Sequence, residues 1–409
     1  MLPCGIRLVS RQLEGIPVEG LAFFLVGGTS VLDTGTQGLE SFSLECALMG
    51  SKLYPGPVWR ALLDRTQAEW SGVYSYDCSA IRLTCLSRDL PELLHAFADC
   101  LLNPEMDSSA VEQVRTRLLQ DLLRERSDPD SRVWLVANAG LLPGHPYSLR
   151  PDGIPSTIGA FTGEQASAFL ESRMKSGNIL VTHAGSMPAE DLAELLEDCF
   201  ADIPPGRDEY LPPPVFPLRS DTLIVEDAPV LTAYAAAKFS APPPDHPDFP
   251  LFAAAMDVLS DELWQVVRTD SALTYATYSG ASLGRRGWGY IYVSSSRPER
   301  ACPLLAEVAA GIADGDYDAA EAAGTLETAA TAFSMMLSSR EDQAYMMGLY
   351  AVATGDWRNL WLYRDIAADC DPSSLGEVLS RWRGPVAWGI VADTSLVNVG
   401  ELEPWPLSN

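Results

Sequence analysis

Histidine is scarce in this sequence of 409 residues. There are four histidines, at His95, His145, His183 and His246. No two of them stand close enough in the sequence to form a paired-histidine motif, the arrangement that holds a catalytic zinc ion in many hydrolases. The sequence therefore excludes zinc chemistry that depends on two neighbouring histidines.

Patterned cysteines and long apolar runs are also missing. The eight cysteines contain no CxxC pair and no regular spacing, which indicates small buried side chains in a reducing compartment and not a disulfide or zinc framework. No apolar run approaches the ~18 to 20 residues that cross a bilayer. The first residues lack the apolar core of a secretion signal, so we expect a cytoplasmic protein.

Basic residues are few relative to acidic ones. The chain has 28 Lys and Arg against 55 Asp and Glu, a formal net charge of −27. Such a chain repels nucleic acids and anionic membrane surfaces. We nevertheless expect a folded protein and not a disordered acidic chain, because 47% of its residues are hydrophobic and can form a buried core.

The order of predicted elements indicates two related halves. Strand-like segments alternate with amphipathic helical segments, and the sequence of elements starts again after a proline-rich stretch that contains Pro212, Pro213, Pro214 and Pro217. We predict an N-terminal domain over residues 1–206, a linker over 207–220 and a C-terminal domain over 221–409. The predicted class is α+β, and the length suits two domains of about 200 residues.

Residues 38–55 read GLESFSLECALMGSKLYP. This segment resembles the signature of the pitrilysin/insulinase family of zinc metallopeptidases, in which an HxxEH motif (the inverzincin motif) holds the zinc. The three motif positions fall here on Ser41, Leu44 and Glu45. Asp121 lies where the family carries its third zinc ligand, a glutamate. Short matching segments at residues 2–7, 27–33, 144–147 and 178–185 occur in family order.

The residues at these positions are unsuited to zinc. A zinc-activated water needs three nitrogen, sulfur or carboxylate ligands and a base. Serine is a poor zinc ligand and leucine is none, so only the carboxylates of Glu45 and Asp121 remain. Two carboxylates suit at most weak calcium or magnesium binding, an alternative that elemental analysis of the purified chain would test. We predict no metal and no cofactor on this chain.

Residues 263–275 read LWQVVRTDSALTY. They resemble the family segment LFxxLREKxGLAYSV, and Arg268 and Tyr275 stand seven residues apart as in that segment. By resemblance, the arginine binds a substrate carbonyl or carboxylate, and the tyrosine hydroxyl donates to the oxyanion of the tetrahedral intermediate. From the residues alone, an arginine at a helix end and a tyrosine in a strand equally suit dipole pairing and packing. The family's glycine-rich turn before this helix is shortened here to residues 259–263.

The resemblance implies a specific fold and function. The fold would be two tandem α/β-roll domains, each a mixed or antiparallel sheet with helices packed on one face, forming half of a clamshell. The chain would be the non-catalytic subunit of a heterodimeric peptidase, supplying Arg268 and Tyr275 to a homologous partner that carries HxxEH and zinc. Peptide precursors are one substrate class that the resemblance implies. The alternative is a peptide-binding or structural scaffold of the same fold, with no role in hydrolysis.

Overall fold

The computed structural model describes residues 1–208 and 213–407. These residues form two five-stranded sheets. The first sheet contains β1 (Arg7–Gln12), β2 (Val18–Val26), β3 (Glu69–Tyr74), β4 (Cys78–Leu86) and β5 (Ile179–Gly185). The second contains β6 (Thr222–Asp227), β7 (Ala233–Ser240), β8 (Ala276–Ala281), β9 (Trp288–Ser295) and β10 (Val386–Ala392). Residues 209–212 of the predicted linker lie outside the described residues.

Helices connect the strands in both halves of the chain. Those of the first half are α1 (Leu39–Ala47), α2 (Gly56–Thr66), α3 (Leu90–Leu102), α4 (Ser108–Ser127), α5 (Pro129–Leu141), α6 (Pro155–Ile158), α7 (Gly163–Arg173) and α8 (Ala189–Cys199). Those of the second half are α9 (Phe249–Leu263), α10 (Pro298–Asp314), α11 (Ala319–Met336), α12 (Arg340–Thr354), α13 (Asn359–Asp369) and α14 (Leu375–Trp382). Within the described residues, no helix is both long enough and apolar enough to cross a membrane.

The two sheets have the same topology. The first has the spatial order β1-β5-β2-β4-β3 and the second β6-β10-β7-β9-β8. From one edge to the other, each sheet therefore contains its first, last, second, fourth and third strand, counted along the chain. The first and last strands pair in parallel, and the remaining neighbours are antiparallel. The predicted α+β class with two related mixed sheets is confirmed.

Most helices pack on one face of each sheet, as expected. In β2, Leu21, Phe23 and Leu25 belong to the core that α3 and α8 share with this face, because alternate side chains of a strand point to opposite faces. Ala22 and Phe24 point to the other face and are also buried. The expectation of helices on one face alone is therefore incomplete, since one helix also covers the second face of each sheet.

Helix α12 covers the second face of the first sheet. Gly20 of β2 allows close approach, because a Cβ there would lie 2.5 Å from the carbonyl carbon of Arg340. The Thr182 hydroxyl donates to the Ala344 carbonyl at 2.6 Å. The ring of Tyr345 stacks on Phe24 at 5.9 Å between centroids. These contacts fix α12 on the first sheet although it belongs to the second half of the sequence.

Helix α5 makes the corresponding contact on the second sheet. Its Val133, Val136 and Ala137 pack with residues of β7, β9 and β10. A Cβ at Gly389 of β10 would overlap the backbone of Ala137, so this glycine also permits close packing. The side chain of Asp128 caps the helix by accepting hydrogen bonds from the N–H groups of residues 130 and 131, which satisfies two otherwise unpaired donors.

The compact units consequently differ from the contiguous domains 1–206 and 221–409 predicted from the sequence. One unit consists of residues 1–123, 149–212 and 336–358, and the other of residues 124–148, 213–335 and 359–409. Each unit contains a sheet from one half of the sequence and a covering helix from the other half. The difference arises because an amphipathic pattern shows that a helix has an apolar face but not which sheet buries that face.

Candidate functional site

Two of the three zinc-motif positions present no ligand. Helix α1 begins after Gly38, whose φ of +87° is a left-handed conformation that favours glycine. Ser41 is fully buried, and its hydroxyl bonds to the carbonyls of Gly38 at 2.9 Å and Pro151 at 3.0 Å. Leu44 belongs to the core of the first sheet. The Ser41 hydroxyl bonds to backbone carbonyls, and the Leu44 side chain packs in the core.

The third position, Glu45, keeps its carboxylate but faces a protein cation. The side chain is 5% exposed. Its Oε1 accepts a hydrogen bond from the Tyr74 hydroxyl at 2.7 Å, and its Oε2 accepts one from Arg117 Nη2 at 2.6 Å. Burial and the neighbouring Glu45 charge raise the pKa of Tyr74 well above its ordinary value, so this phenol stays protonated and donates. Both carboxylate oxygens are therefore engaged by protein donors.

Asp121 lies on α4, one helical turn after Arg117. Burial lowers the pKa of Arg117, but the charges of Glu45 and, more weakly, Asp121 outweigh it and raise that pKa. Glu45 thus bonds directly to this guanidinium, and Asp121 acts on it only through its charge. Among the described residues, no group of three His, Cys, Asp or Glu side chains is placed to hold a metal ion. The residues at the motif positions do not fit zinc.

A further carboxyl, Glu40, lies inside the same segment and was not singled out by sequence. It is 3% exposed, and Oε1 accepts a hydrogen bond from the Ser79 hydroxyl at 2.5 Å. Arg173 Nε stands 3.9 Å from Oε2. Burial raises the pKa of Glu40 to about 7, although Arg173 and Ser79 act in the opposite direction. This segment therefore has a carboxyl that titrates near neutrality.

The second predicted pair begins with Arg268, which lies on a π-helix over Trp264–Asp270. This turn directly continues α9, so residues 259–263 are helical here. Wide winding is evident from the bond of Ser271 N–H to the Val266 carbonyl at 3.1 Å, five residues apart. The guanidinium carbon of Arg268 lies 3.6 Å from the Trp264 ring centre, a cation–π stack. Single π-turns are frequent at functional sites.

Trp264 is the contact that sequence reasoning missed. Its side chain is 44% exposed and stacks on the guanidinium of Arg268. The signal was present, because residues four apart on a helix are neighbours. The wide winding from Trp264 onward brings them into direct stacking, and no residue pattern in the segment predicts that winding.

Tyr275 immediately precedes β8, which is an edge strand of the second sheet. Its side chain is 89% exposed, an unusual degree for a tyrosine. The neighbouring Thr274 fixes the backbone here, since its hydroxyl contacts the carbonyls of Ala276 at 2.8 Å and Ser294 at 2.5 Å. A fixed backbone and a free ring leave the Tyr275 hydroxyl available to an incoming molecule.

Comparison with known proteins gives matches in sequence and in fold. Residues 160–324 match the family described as "Peptidase M16 inactive domain". Cytochrome b-c1 complex subunit 1, mitochondrial, of Bos taurus is 23% identical over 60% of this chain and 51% of that protein. The probable mitochondrial-processing peptidase subunit beta of Schizosaccharomyces pombe is 23% identical over 48% of this chain and 44% of that protein. The chain thus matches about half the length of these relatives.

A solved structure resembles the chain over almost its full length. The peptidase M16 inactive domain from Pseudomonas fluorescens superposes with a TM-score of 0.84 and 16% sequence identity, covering 96% of this chain and 97% of that one. At this identity the likeness establishes the fold. It confirms the two-sheet architecture predicted from the sequence.

Proposed function

Since this chain is a homologue of the M16 zinc proteases that lacks their catalytic motif, we propose that it is the non-catalytic subunit of a heterodimeric zinc metallopeptidase. The observation that carries the proposal is a contrast between two segments. In the zinc-motif segment Glu45 is engaged by Tyr74 and Arg117. In the second segment Tyr275 is exposed and Arg268 is partly exposed. One relative is, by its name, a subunit of a processing peptidase.

In this proposal the chain contributes substrate contacts to the site of its partner. The partner is a homologous subunit with HxxEH, which would hold the zinc ion. Arg268 would bind a carbonyl or carboxylate of the peptide, with its guanidinium oriented by the ring of Trp264. The Tyr275 hydroxyl would donate to the oxygen that gains negative charge during hydrolysis, the interaction that stabilises an acyl-transfer transition state.

The net charge of −27 indicates a preference among peptides. Charge of one sign raises the local concentration of molecules of opposite sign. The pair would accordingly favour basic or flexible peptides and disfavour acidic ones. Cytoplasmic residence remains part of this proposal.

The test is co-expression with an HxxEH-bearing homologue from the same genome, followed by peptide-cleavage assays. The complex should cleave a basic peptide faster than the partner alone, and Arg268→Ala and Tyr275→Phe should each lower kcat/KM by roughly 100-fold, as for loss of a transition-state donor. Tyr278→Phe removes a hydroxyl three residues later in the chain, within β8, and Arg358→Ala removes an exposed guanidinium. Both variants should leave the rate unchanged. Equal rates with and without this chain would refute the proposal.

A structural scaffold is the alternative, and one observation favours it. A relative is, by its name, a subunit of the cytochrome b-c1 complex and not of a peptidase. Size-exclusion chromatography separates the two functions. A stable homodimer that does not bind an HxxEH-bearing homologue would support the scaffold.

A further inference from the structure

A polar cluster outside the sites described above lies across three neighbouring strands of the first sheet. Ser10 of β1 stands opposite His183 of β5, and Glu19 lies on β2, the next strand. The Ser10 hydroxyl is 2.8 Å from His183 Nδ1. His183 Nε2 is 2.6 Å from Glu19 Oε2. A hydroxyl, an imidazole and a carboxylate are therefore joined in series.

The ionisation of Glu19 determines which nitrogen of His183 carries a proton. Burial alone would raise the pKa of this carboxyl, but hydrogen bonds from His183, Ser87 and Ser186 lower it to about 2. An ionised carboxylate only accepts hydrogen bonds, so His183 Nε2 carries a proton and donates it to Glu19. When the ring bears that one proton, Nδ1 has a free lone pair that can accept the hydroxyl proton of Ser10.

The carboxylate is held rigidly on its other oxygen. Glu19 Oε1 accepts from the Ser87 hydroxyl, from the Ser186 hydroxyl at 2.8 Å and from the Met187 N–H at 3.1 Å. The imidazole it orients is fully buried, as is Glu19 itself. These hydrogen bonds and the burial restrict the movement of the carboxylate and of the ring that it contacts.

Ser10 is the member of the series that solvent can reach. It is partly exposed, and β1 is the edge strand of its sheet. The outer side of an edge strand presents N–H groups that no other strand pairs with.

We propose that Ser10 is a nucleophile for acyl transfer, with His183 as its general base and Glu19 as the group that orients the base. The geometry is that of an activated nucleophile, in which a base contacts the hydroxyl and a third group holds the base. The serine contacts Nδ1 and the acid contacts Nε2, the reverse of the usual assignment, but either ring nitrogen accepts a proton when the other bears one. This activity would be independent of the proposed peptidase role.

The proposed substrates are small activated esters. Ser10 Oγ forms a bond to the carbonyl carbon while its proton passes to His183 Nδ1. The bond to the leaving alcohol breaks, and the alcohol takes that proton from His183. An acyl-Ser10 ester remains. A water molecule then gives a proton to His183 and attacks the acyl carbon, the bond from that carbon to Ser10 Oγ breaks, and Oγ takes the proton from His183, which releases the carboxylic acid and restores the serine.

The test uses the full chain alone, so its outcome does not depend on a peptidase partner. The purified protein is incubated with a fluorophosphonate probe and with p-nitrophenyl acetate, and adducts are located by intact mass and peptide mapping. We expect a single adduct on Ser10, its loss in Ser10→Ala, and ester turnover at least about 100-fold slower in Glu19→Gln. Ser71→Ala, on the opposite edge strand of the same sheet, should label like the wild type.

Two controls keep the result interpretable. Thermal melting of Ser10→Ala shows whether the fold survives, and the rate of labelling against pH shows whether a group with an imidazole-like pKa governs it. Absence of an adduct on the folded wild type would overturn the proposal. So would an adduct that persists in Ser10→Ala.

Discussion

The guanidinium of Arg117 pairs with the buried carboxyl of Glu45 in the interior of the first unit. Arg117 bonds to its Oε2 at 2.6 Å, and the arginine side chain is itself 49% exposed. Arg117→Met should lower the free energy of unfolding by about 2 kcal/mol, below the range for fully buried pairs because solvent reaches the arginine. Urea denaturation measures the change.

A double-mutant cycle isolates the pair from the packing of the arginine stem. Glu45→Gln removes the charge that Arg117 neutralises, so Arg117→Met should cost markedly less in that background. Equal costs in both backgrounds would show that the guanidinium contributes nothing through Glu45.

Glu40 makes stability depend on pH in the direction opposite to most carboxylates. Its pKa is raised from 4.5 to about 7, so between these values the unfolded chain ionises while the folded chain stays protonated. Stability is therefore lost as pH rises from about 4.5 to 7, by up to about 3 kcal/mol. Glu40→Gln should remove this loss and be more stable than the wild type at pH 7.5, with no such gain at pH 4. Unfolding curves of the wild type and of Glu40→Gln, each measured at pH 4 and at pH 7.5, check this.

Part of the site follows from sequence at this scale. The side chains of Ser41 and Leu44 already exclude zinc, whatever their surroundings. The roles of Tyr74 and Arg117 do not follow, because β3 and α4 reach Glu45 through tertiary packing across 29 and 72 residues of chain. Sequence showed the loss of the metal ligands but not which groups engage the remaining carboxylate.

Helix α12 depends on a glycine in its middle. Gly348 faces the ring of Phe24, and a Cβ there would overlap that ring, which is fully buried. Gly348→Ala should lower the free energy of unfolding by about 1 to 3 kcal/mol through overpacking. Gly324→Ala on α11 is the matched control, since nothing lies within 4 Å of its added Cβ. There the change should be neutral or stabilising, because alanine favours a helix over glycine. Thermal unfolding of both variants decides the point.

Elements were predicted more reliably than their partners. The apolar run of β2 and the amphipathic stripes of α3 and α4 are local patterns that can be read from the sequence directly. The assignment of α5 and α12 to sheets of the other half is not local, since it rests on glycines such as Gly20 and Gly389 that admit a helix backbone. A glycine inside a strand indicates that another part of the chain approaches closely, but it does not identify which element that is.

The whole chain should not divide into its sequence halves. A fragment of residues 1–206 lacks α12, which leaves the buried face formed by Ala22, Phe24 and Leu180 uncovered. A fragment of residues 221–409 lacks α5 and uncovers Ala236, Tyr292 and Val391. Each fragment expressed alone should bind a hydrophobic dye and aggregate, because large exposed apolar patches associate.

Co-expression of the two fragments gives the contrasting result. Each fragment carries the helix that the other lacks, so together they should form a soluble complex with far-ultraviolet circular dichroism like that of the intact chain. Independent folding of either fragment alone, shown by a cooperative melt, would contradict the expectation.

The exchanged helix α5 also bears on the history of the gene. A duplicated gene whose second copy takes over a task can normally discard the first copy once that copy becomes inactive. Here deletion of the first half would remove α5, and with it the cover of the second sheet. The first half is therefore required for the helix that covers the second sheet, whether or not its own zinc-motif positions take part in any chemistry.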